Sequence, residues 1–373
     1  MNRVYLCALL SSVVPTAIRA QSVAGDTTTK ITWGAFVDTY YAWDFQRPIS
    51  NDRSFAGGAL FTTQPARHNE FNVNLAFVEA KLDGQRVRGR IALQAGTSVQ
   101  SNYSGEPANG QVSGPSLARY IQEAVVGAKL ADNVWIDGGI FFSHMGMESW
   151  ASRDNPTYTR SLVAEYSPYY QSGARITWTA SPKLTAQVDV VNGWQNISEN
   201  NRGKGAGIRL DFTPVTNTTL SYYNFFTQEA GTRLRTFNGV GTKVVKGRAT
   251  LLGQVDVGTQ DKSDAANGTA SWYGFTGIAR AQLSSNVAMS VRLERFDDKN
   301  QVIIGTGSVN DVTNAAFRGN GVSVGLDWSP QSRFMWRTEL RGFQNDKPVF
   351  PDGIRATLSK RDALVVTSLT LTF

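Results

Sequence analysis

Residues 362–373 read DALVVTSLTLTF. Ala363, Val365, Thr367, Leu369, Leu371 and Phe373 fall on one face of an extended segment, with Leu364, Val366, Ser368, Thr370 and Thr372 on the other. A two-residue repeat is the period of a β-strand. Chain ends are ordinarily frayed and polar because nothing ties them down, yet here apolar alternation runs to the last residue. Two architectures accommodate such a strand: the edge of a soluble sandwich, or a sheet closed on itself whose apolar face meets lipid. The rest of the sequence separates them.

The chain has 373 residues, enough for two ordinary domains or one large barrel. It contains no apolar run of the length a membrane-spanning helix requires. Its longest apolar stretch, Val4 to Val14, follows Asn2 and Arg3 and precedes Pro15, which reads as a secretory signal peptide. The expected organisation is a signal at 1–20 with cleavage as late as residue 24, a periplasmic leader at 21–30, and a single barrel domain at 31–373. Cys7 lies inside the signal, so disulfides take no part in the exported domain. Loss of the signal removes Arg3 and Arg19 from a net charge of +7 and leaves the domain mildly basic. Its lysines and arginines form no stripe interleaved with aromatics, which argues against nucleic-acid binding.

Alternation recurs along the whole chain. In ITWGAFVDTYYAWDF, Ile31, Trp33, Ala35, Val37, Tyr41, Trp43 and Phe45 oppose Asp38 and Asp44. In RVRGRIALQAGTSVQ, Val87, Ile91, Leu93, Ala95 and Val99 oppose Arg86, Arg88, Arg90, Gln94, Ser98 and Gln100. GARITWTA, GAGIRLDF, GVSVGLDW and FMWRTELRGF repeat the pattern. The connectors alternate in length. Short ones fall at 83–85, 131–133, 181–183, 214–217, around Gly247, at 284–286 and at 330–333. Longer ones, most of them rich in Gly, Asn, Asp, Ser and Pro, run about 46–68, 101–118, 144–168, 195–203, 228–232, 260–270, 297–317 and 345–361. This predicts an all-β, antiparallel up-and-down transmembrane β-barrel of about 16 strands (range 14–18), with short periplasmic turns and long external loops. Trp33, Trp43, Trp178, Trp194, Trp328 and Phe373 fall near strand ends, where aromatic girdles lie in such barrels.

Two segments, GIFFSHMGMESWASRDNPTYTRSLVAEYSPYYQSG (139–173) and NEFNVNLAFVEAKLDGQRVRGRIALQAGTSVQSNYSGEP (69–107), are the most specific in the chain. Together with GAFVDTYYAWDFQRP and VVNGWQNISENN, they resemble the β-barrel porin-2 family, also described as OmpL-like. The resemblance runs from about residue 31 to the end. It implies a porin of the bacterial cell outer membrane, which passes small hydrophilic solutes by diffusion, and it carries over no catalytic residue and no established solute. Barrels of this class commonly end in an alternating strand with a terminal Phe that the outer-membrane assembly machinery reads. Sixteen-stranded porins are commonly homotrimers.

The register assigns Arg86, Arg88, Arg90, Arg175, Arg209, Arg280, Arg292, Arg337 and Arg341 to the lumen, facing Asp38, Asp44, Glu123, Asp137, Asp189, Asp211, Glu294 and Glu339. Charge rings of this kind set ion preference in pores, and the slight basic lead predicts weak anion selectivity. Phe36, Tyr40, Tyr223 and Phe225 also turn inward, either as a sugar track or as packing. Residues 144–168 form the third long loop, the one that folds into general porins and narrows them. Its Glu148, Arg153, Asp154, Arg160 and Glu165, mixed with Trp150, Tyr158 and Tyr166, suit packing against a charged wall, and Pro156 and Pro168 would stiffen it. The alternatives are an exposed loop, a barrel-anchored enzyme or adhesin, and a substrate-specific uptake channel. Against catalysis, Ser143 and His144 are adjacent and so point to opposite faces of a strand, and two separated histidines make a poor metal site. No cofactor and no metal are expected. GKGAG at 203–207 lacks the context of a phosphate loop and reads as the start of a strand.

Overall fold

The computed structural model describes residues 29–55, 57–230, 233–262, 268–307, 315–355 and 357–373. The expected signal, with Cys7, and nearly all of the leader fall outside these residues. Sixteen strands close a barrel: β1 (Lys30–Asp44), β2 (Phe71–Asp83), β3 (Val87–Ala95), β4 (Ile121–Ala131), β5 (Val134–Phe142), β6 (Tyr170–Ser181), β7 (Leu184–Val191), β8 (Gly205–Phe212), β9 (Thr218–Ala230), β10 (Arg233–Lys246), β11 (Ala249–Asp261), β12 (Thr269–Gln282), β13 (Val287–Asp298), β14 (Phe317–Gln331), β15 (Phe334–Asn345) and β18 (Arg361–Thr372). Within the last long loop, β16 (Phe350–Asp352) and β17 (Thr357–Ser359) make a small separate hairpin. Each barrel strand pairs antiparallel with its neighbour in the chain, and β18 closes on β1 from Phe36 opposite Thr372 to Asp44 opposite Leu364. The Phe373 N–H donates to the Ala35 carbonyl at 2.9 Å. Closure leaves no unpaired sheet edge, the condition a lipid environment imposes on a sheet.

The side chains show which solvent each face meets. Leu293 is 60% exposed on the outside, while its strand neighbours Arg292 and Glu294 are 0% and 3% exposed on the inside. A soluble sandwich has the opposite sense. Trp33, Trp178, Trp328 and Phe373 stand on the outer surface near the short-turn end, with Trp336 beside Trp328. The seven short turns fall where the spacing placed them, and the long loops gather at the other end. The strands nearest in sequence at that end are β9 and β10, whose bounds leave only positions 231 and 232 between them.

Three local expectations give way. Residues 97–102 do not extend the strand before them but form a short helix, α1 (Thr97–Asn102), so Val99 turns into the interior at 1% exposure. The chain leaves β3 through Gly96, whose φ of +134° is open to glycine. Its missing Cβ also matters, since one there would lie 2.3 Å from the Asn74 carbonyl oxygen. Trp194 does not join the outer girdle; it sits inside the barrel mouth, edge to face with Phe237 and Trp272. Arg86 lies in the exposed turn between β2 and β3, one residue short of the wall.

Candidate functional site

The segment between β5 and β6, residues 143–169, lies within the lumen. Two short helical turns shape it, a 3-10 turn at Ser152–Asp154 and α2 (Leu162–Glu165). The Ser161 hydroxyl caps α2 by accepting from the Ala164 N–H at 3.4 Å. A peptide without a sheet partner has to find partners for its N–H and carbonyl groups when buried. The barrel wall supplies them from several directions.

The segment starts at His144, whose Nδ1 is 3.1 Å from Asp189 and whose Nε2 is 2.8 Å from the Asn224 carbonyl oxygen. Arg209 on β8 donates from Nη1 to the His144 and Gly146 carbonyls, each at 2.8 Å, and Gln254 on β11 accepts from the Met147 N–H at 3.0 Å. Trp150 donates its indole N–H to Gln94 on β3 at 3.0 Å, and Ser152 donates to Asp38 on β1 at 2.9 Å. Arg337 on β15 reaches the carbonyls of Ser152, Asn155 and Pro156 while holding Asp327 at 2.9 Å. The N–H and hydroxyl of Thr159 both donate to Glu339 at 2.8 Å. Glu339 also pairs with Arg292 at 2.9 Å, and Glu294 pairs with Arg341 at 2.7 Å while accepting from the Leu162 N–H. The segment is therefore pinned to β1, β3, β7, β8, β9, β11, β13 and β15, from one side of the lumen to the other. Arg292, Arg337 and Arg341 are no more than 1% exposed, because the loop covers them.

A second inserted piece, the loop after β1, locks this arrangement from the external side. Arg53 bridges Asp44 and Asp362, each at 2.8 Å, and so ties that loop to both strands of the barrel seam. Thr63 donates its N–H to Glu165 at 3.1 Å, and Tyr166 donates to the Phe61 carbonyl at 2.7 Å. Phe55, Phe61, Phe317, Phe343 and Phe350 pack together above the segment. No sequence pattern singled out Arg53 or Asp362: Arg53 lies within the first long loop, where Asp52 is its only charged neighbour in the chain.

The lumen is not uniformly filled. At the short-turn end, against β2 to β7, a cavity of about 350 Å³ is lined by Lys81, Arg88, Arg90, Glu123, Asp137 and Arg175, among others. The charges there are paired: Arg88 with Asp137, Arg90 with Glu79 and Glu123, and Arg175 with Asp189 at 2.8 Å; on β8, Arg209 pairs with Asp211 at 2.8 Å. Arg88 and Asp211 keep about a third of their side-chain surface open, 34% and 31%. The wall residues singled out by register thus divide into three sets. Arg88, Arg90, Glu123 and Arg175 line the cavity, and Asp38, Arg292, Arg337, Glu339 and Arg341 lie beneath the inserted segment; Arg209, paired with Asp211, holds the start of that segment.

Within that segment, Arg160 is enclosed, its guanidinium 4.7 Å from the Trp150 ring and 3.9 Å from the Tyr169 ring, with Glu165 at 3.5 Å. Glu148 accepts from the Ser161 N–H and hydroxyl. Burial pushes the Glu148 carboxyl above its ordinary pKa, against the opposing pull of Arg292 and the Ser161 hydrogen bonds. Arg153 and Asp154 stay solvated, with side chains 29% and 60% exposed. Phe36, Tyr40, Tyr223 and Phe225 are all at most 2% exposed, so they pack against neighbours and offer no open aromatic track.

A family model described as "Putative beta-barrel porin-2, OmpL-like" matches residues 30–373. The chain belongs to that porin family. Solved barrels share its fold. OmpT of Vibrio cholerae aligns at 9% identity and a TM-score of 0.59, over 93% of this chain and 98% of that one. An anion-selective porin from Comamonas acidovorans aligns at 11% and 0.58, over 92% and 100%. The outer-membrane channel DcaP of Acinetobacter baumannii aligns at 10% and 0.59, over 94% and 99%. A search of curated protein sequences gives no match. As a porin, the molecule is a channel protein of the bacterial outer membrane, and the pinned segment lies within its lumen.

Proposed function

We propose that this porin passes small hydrophilic solutes by passive diffusion through a path throttled by residues 144–168, with a weak preference for anions. The observation that carries this reading is the attachment of that segment to opposite walls of the lumen by buried arginine, glutamate and aspartate side chains. Nearly every lumen charge has a partner, so selectivity rests on the small surplus of bases and is mild. Arg88, Arg90 and Arg175 line the vestibule on the periplasmic side of the constriction and act there as the pore-lining set, with Glu123 opposing them; Arg209 and Asp211 complete that set on β8. Arg86 adds to the rim.

We read the molecule as a channel and not a barrel-borne enzyme or adhesin. His144 is occupied as the anchor of the inserted segment, and Ser143 donates nothing to it; the Ser143 oxygen accepts from the Met145 N–H. Homotrimeric assembly is part of the proposal, in line with the trimer form of Vibrio cholerae OmpT, as are a cleaved N-terminal signal and recognition of the β18 strand through Phe373 by the outer-membrane assembly machinery.

The test is single-channel conductance of refolded protein in a planar bilayer, with a salt gradient to give the reversal potential. Discrete steps, a small anion-favouring reversal potential, and larger steps after deletion of residues 148–164 support the proposal. A folded barrel that passes no current, or a deletion that leaves the step size unchanged, overturns it.

A further inference from the structure

Towards the external end of β10 and β11 the interior holds a group that the constriction does not use. Arg235 points inward, with its Nε donating to the Gln260 side-chain oxygen at 2.8 Å. Its guanidinium lies 5.2 Å from the Trp194 ring and 5.9 Å from the Trp272 ring. Trp194 in turn meets Phe225, Phe237 and Trp272. Space for the Trp272 indole comes from the facing strand, where a Cβ on Gly258 would lie 2.0 Å from it.

The chemistry of this cluster is one-sided. The indole Nε1 of Trp272 and the amide Nε2 of Gln260 are both buried, on residues 1% and 7% exposed, and neither has a hydrogen-bond partner. Both are N–H donors. No carboxylate among the described residues lies within ion-pair distance of Arg235, whereas Arg88, Arg90, Arg175, Arg209, Arg280, Arg292, Arg337 and Arg341 each have one. The acids whose charge reaches Arg235 are Glu229 and Asp298. Glu229 is engaged by the Trp194 N–H at 2.7 Å and the Thr227 hydroxyl at 2.9 Å, and Asp298 by the N–H groups of Val302, Ile303 and Ile304. A buried donor without an acceptor is costly, and a buried cation without a counter-charge more so. Two such donors converge here with the half-buried guanidinium of Arg235, on a bed of aromatic rings.

We propose that Arg235, Gln260 and Trp272 form a binding site for the carboxylate of a small aromatic acid, placed in the external mouth ahead of the constriction. A carboxylate offers acceptors to the two unpartnered donors and a counter-charge that matches the guanidinium fork of Arg235. Its ring would lie against Trp194, the partly exposed ring of the cluster. The proposal deepens the anion preference by giving it one location and one ligand class, yet it does not depend on current through the pore.

The test is calorimetric titration of folded, detergent-solubilised protein with sodium benzoate, with benzyl alcohol as the uncharged probe of the same shape. The site predicts saturable benzoate binding and none, or about tenfold weaker binding, for the alcohol. Arg235→Gln should lower benzoate affinity by about tenfold or more, and Trp272→Phe, which keeps a ring and loses the N–H, by a few fold. Gln260→Glu is nearly isosteric and gives Arg235 an internal counter-ion, so it should abolish benzoate binding in a barrel whose melting is unchanged or raised. Equal binding of the two probes, no benzoate binding by the folded wild type, or full affinity in Gln260→Glu overturns the proposal. If benzoate binds as expected but bilayers show no current, the channel reading fails while this site stands.

Discussion

Thr159 and Glu339 are joined twice: the Thr159 N–H and hydroxyl each donate at 2.8 Å to a different oxygen of the same carboxylate. The two residues are 180 apart in sequence and meet because β15 forms the wall opposite the strand from which the inserted segment departs. Glu339 is also a counter-ion of Arg292, 0% exposed, which itself donates to Thr157 and Thr159. Glu339→Ala therefore removes one of the two buried counter-ions of Arg292, Glu294 at 3.3 Å remaining, and leaves two loop donors without their acceptor. Removing one partner of a buried pair costs about 3–5 kcal/mol. The expected outcome is a lower melting temperature with larger, noisier single-channel steps. A variant that melts earlier with unchanged steps would show that Glu339 holds the wall and not the loop.

The barrel was legible in the sequence because two independent periodicities agree. Alternation set the faces, and the long-short rhythm of connectors set the topology, so Arg292, Arg337 and Glu339 could be turned inward without coordinates. Where one signal acted alone, the reading slipped. Val99 kept the phase of the preceding strand, yet the chain had already turned at Gly96. Trp194 sat near a strand end, where a girdle residue and a mouth residue look alike. Arg235 drew no attention because nothing in its neighbourhood in sequence reveals that it lacks an acid; absence of a partner is a property of the folded wall.

Val324 sits midway along β14 on the outer surface, 42% exposed, while Ser323 beside it is 1% exposed on the inside. Val324→Arg places a charge against lipid near the middle of the span, where arginine costs about 2–4 kcal/mol in barrels of this kind, falling to about 0–1 kcal/mol towards the interfaces. Trp328→Arg, nearer the short-turn end, should be the milder change in that respect. The check is the folded fraction in lipid vesicles across a urea series. Equal destabilisation by the two substitutions would argue against the assigned membrane position of β14.

Gly258 and Trp272 meet across paired strands, Gly258 being the register partner of Trp272. Because a Cβ at Gly258 would lie 2.0 Å from the indole, Gly258→Ala has to push the ring off the wall. Overpacking of this sort costs about 1–3 kcal/mol. The melting temperature should fall, and tryptophan fluorescence should change as Trp272 moves. Gly268→Ala, in a loop position with no atom near the added carbon, serves as the comparison, although its φ of +109° adds backbone strain without touching the indole. A fluorescence change as large in Gly268→Ala would show that the response does not come from the Trp272 contact.

Glu148 gives the inserted segment a dependence on pH whose sign follows from burial. Its carboxyl titrates above the ordinary value of 4.5 in the folded protein, chiefly because burial disfavours the charge. The folded state thus holds the proton more tightly than the unfolded chain does. Stability from this group is fully present below the unfolded pKa and is lost as pH rises through the raised folded pKa. Hydrogen exchange at the Ser161 and Leu162 amides, corrected for intrinsic rate, should accordingly report tighter packing at acid pH and loosening as the carboxyl ionises. Glu148→Gln keeps an acceptor for Ser161 but cannot ionise, so its protection should be flat across the same range. A wild-type profile as flat as that of Glu148→Gln would show that the Ser161 hydrogen bonds and Arg292 hold the carboxylate ionised throughout.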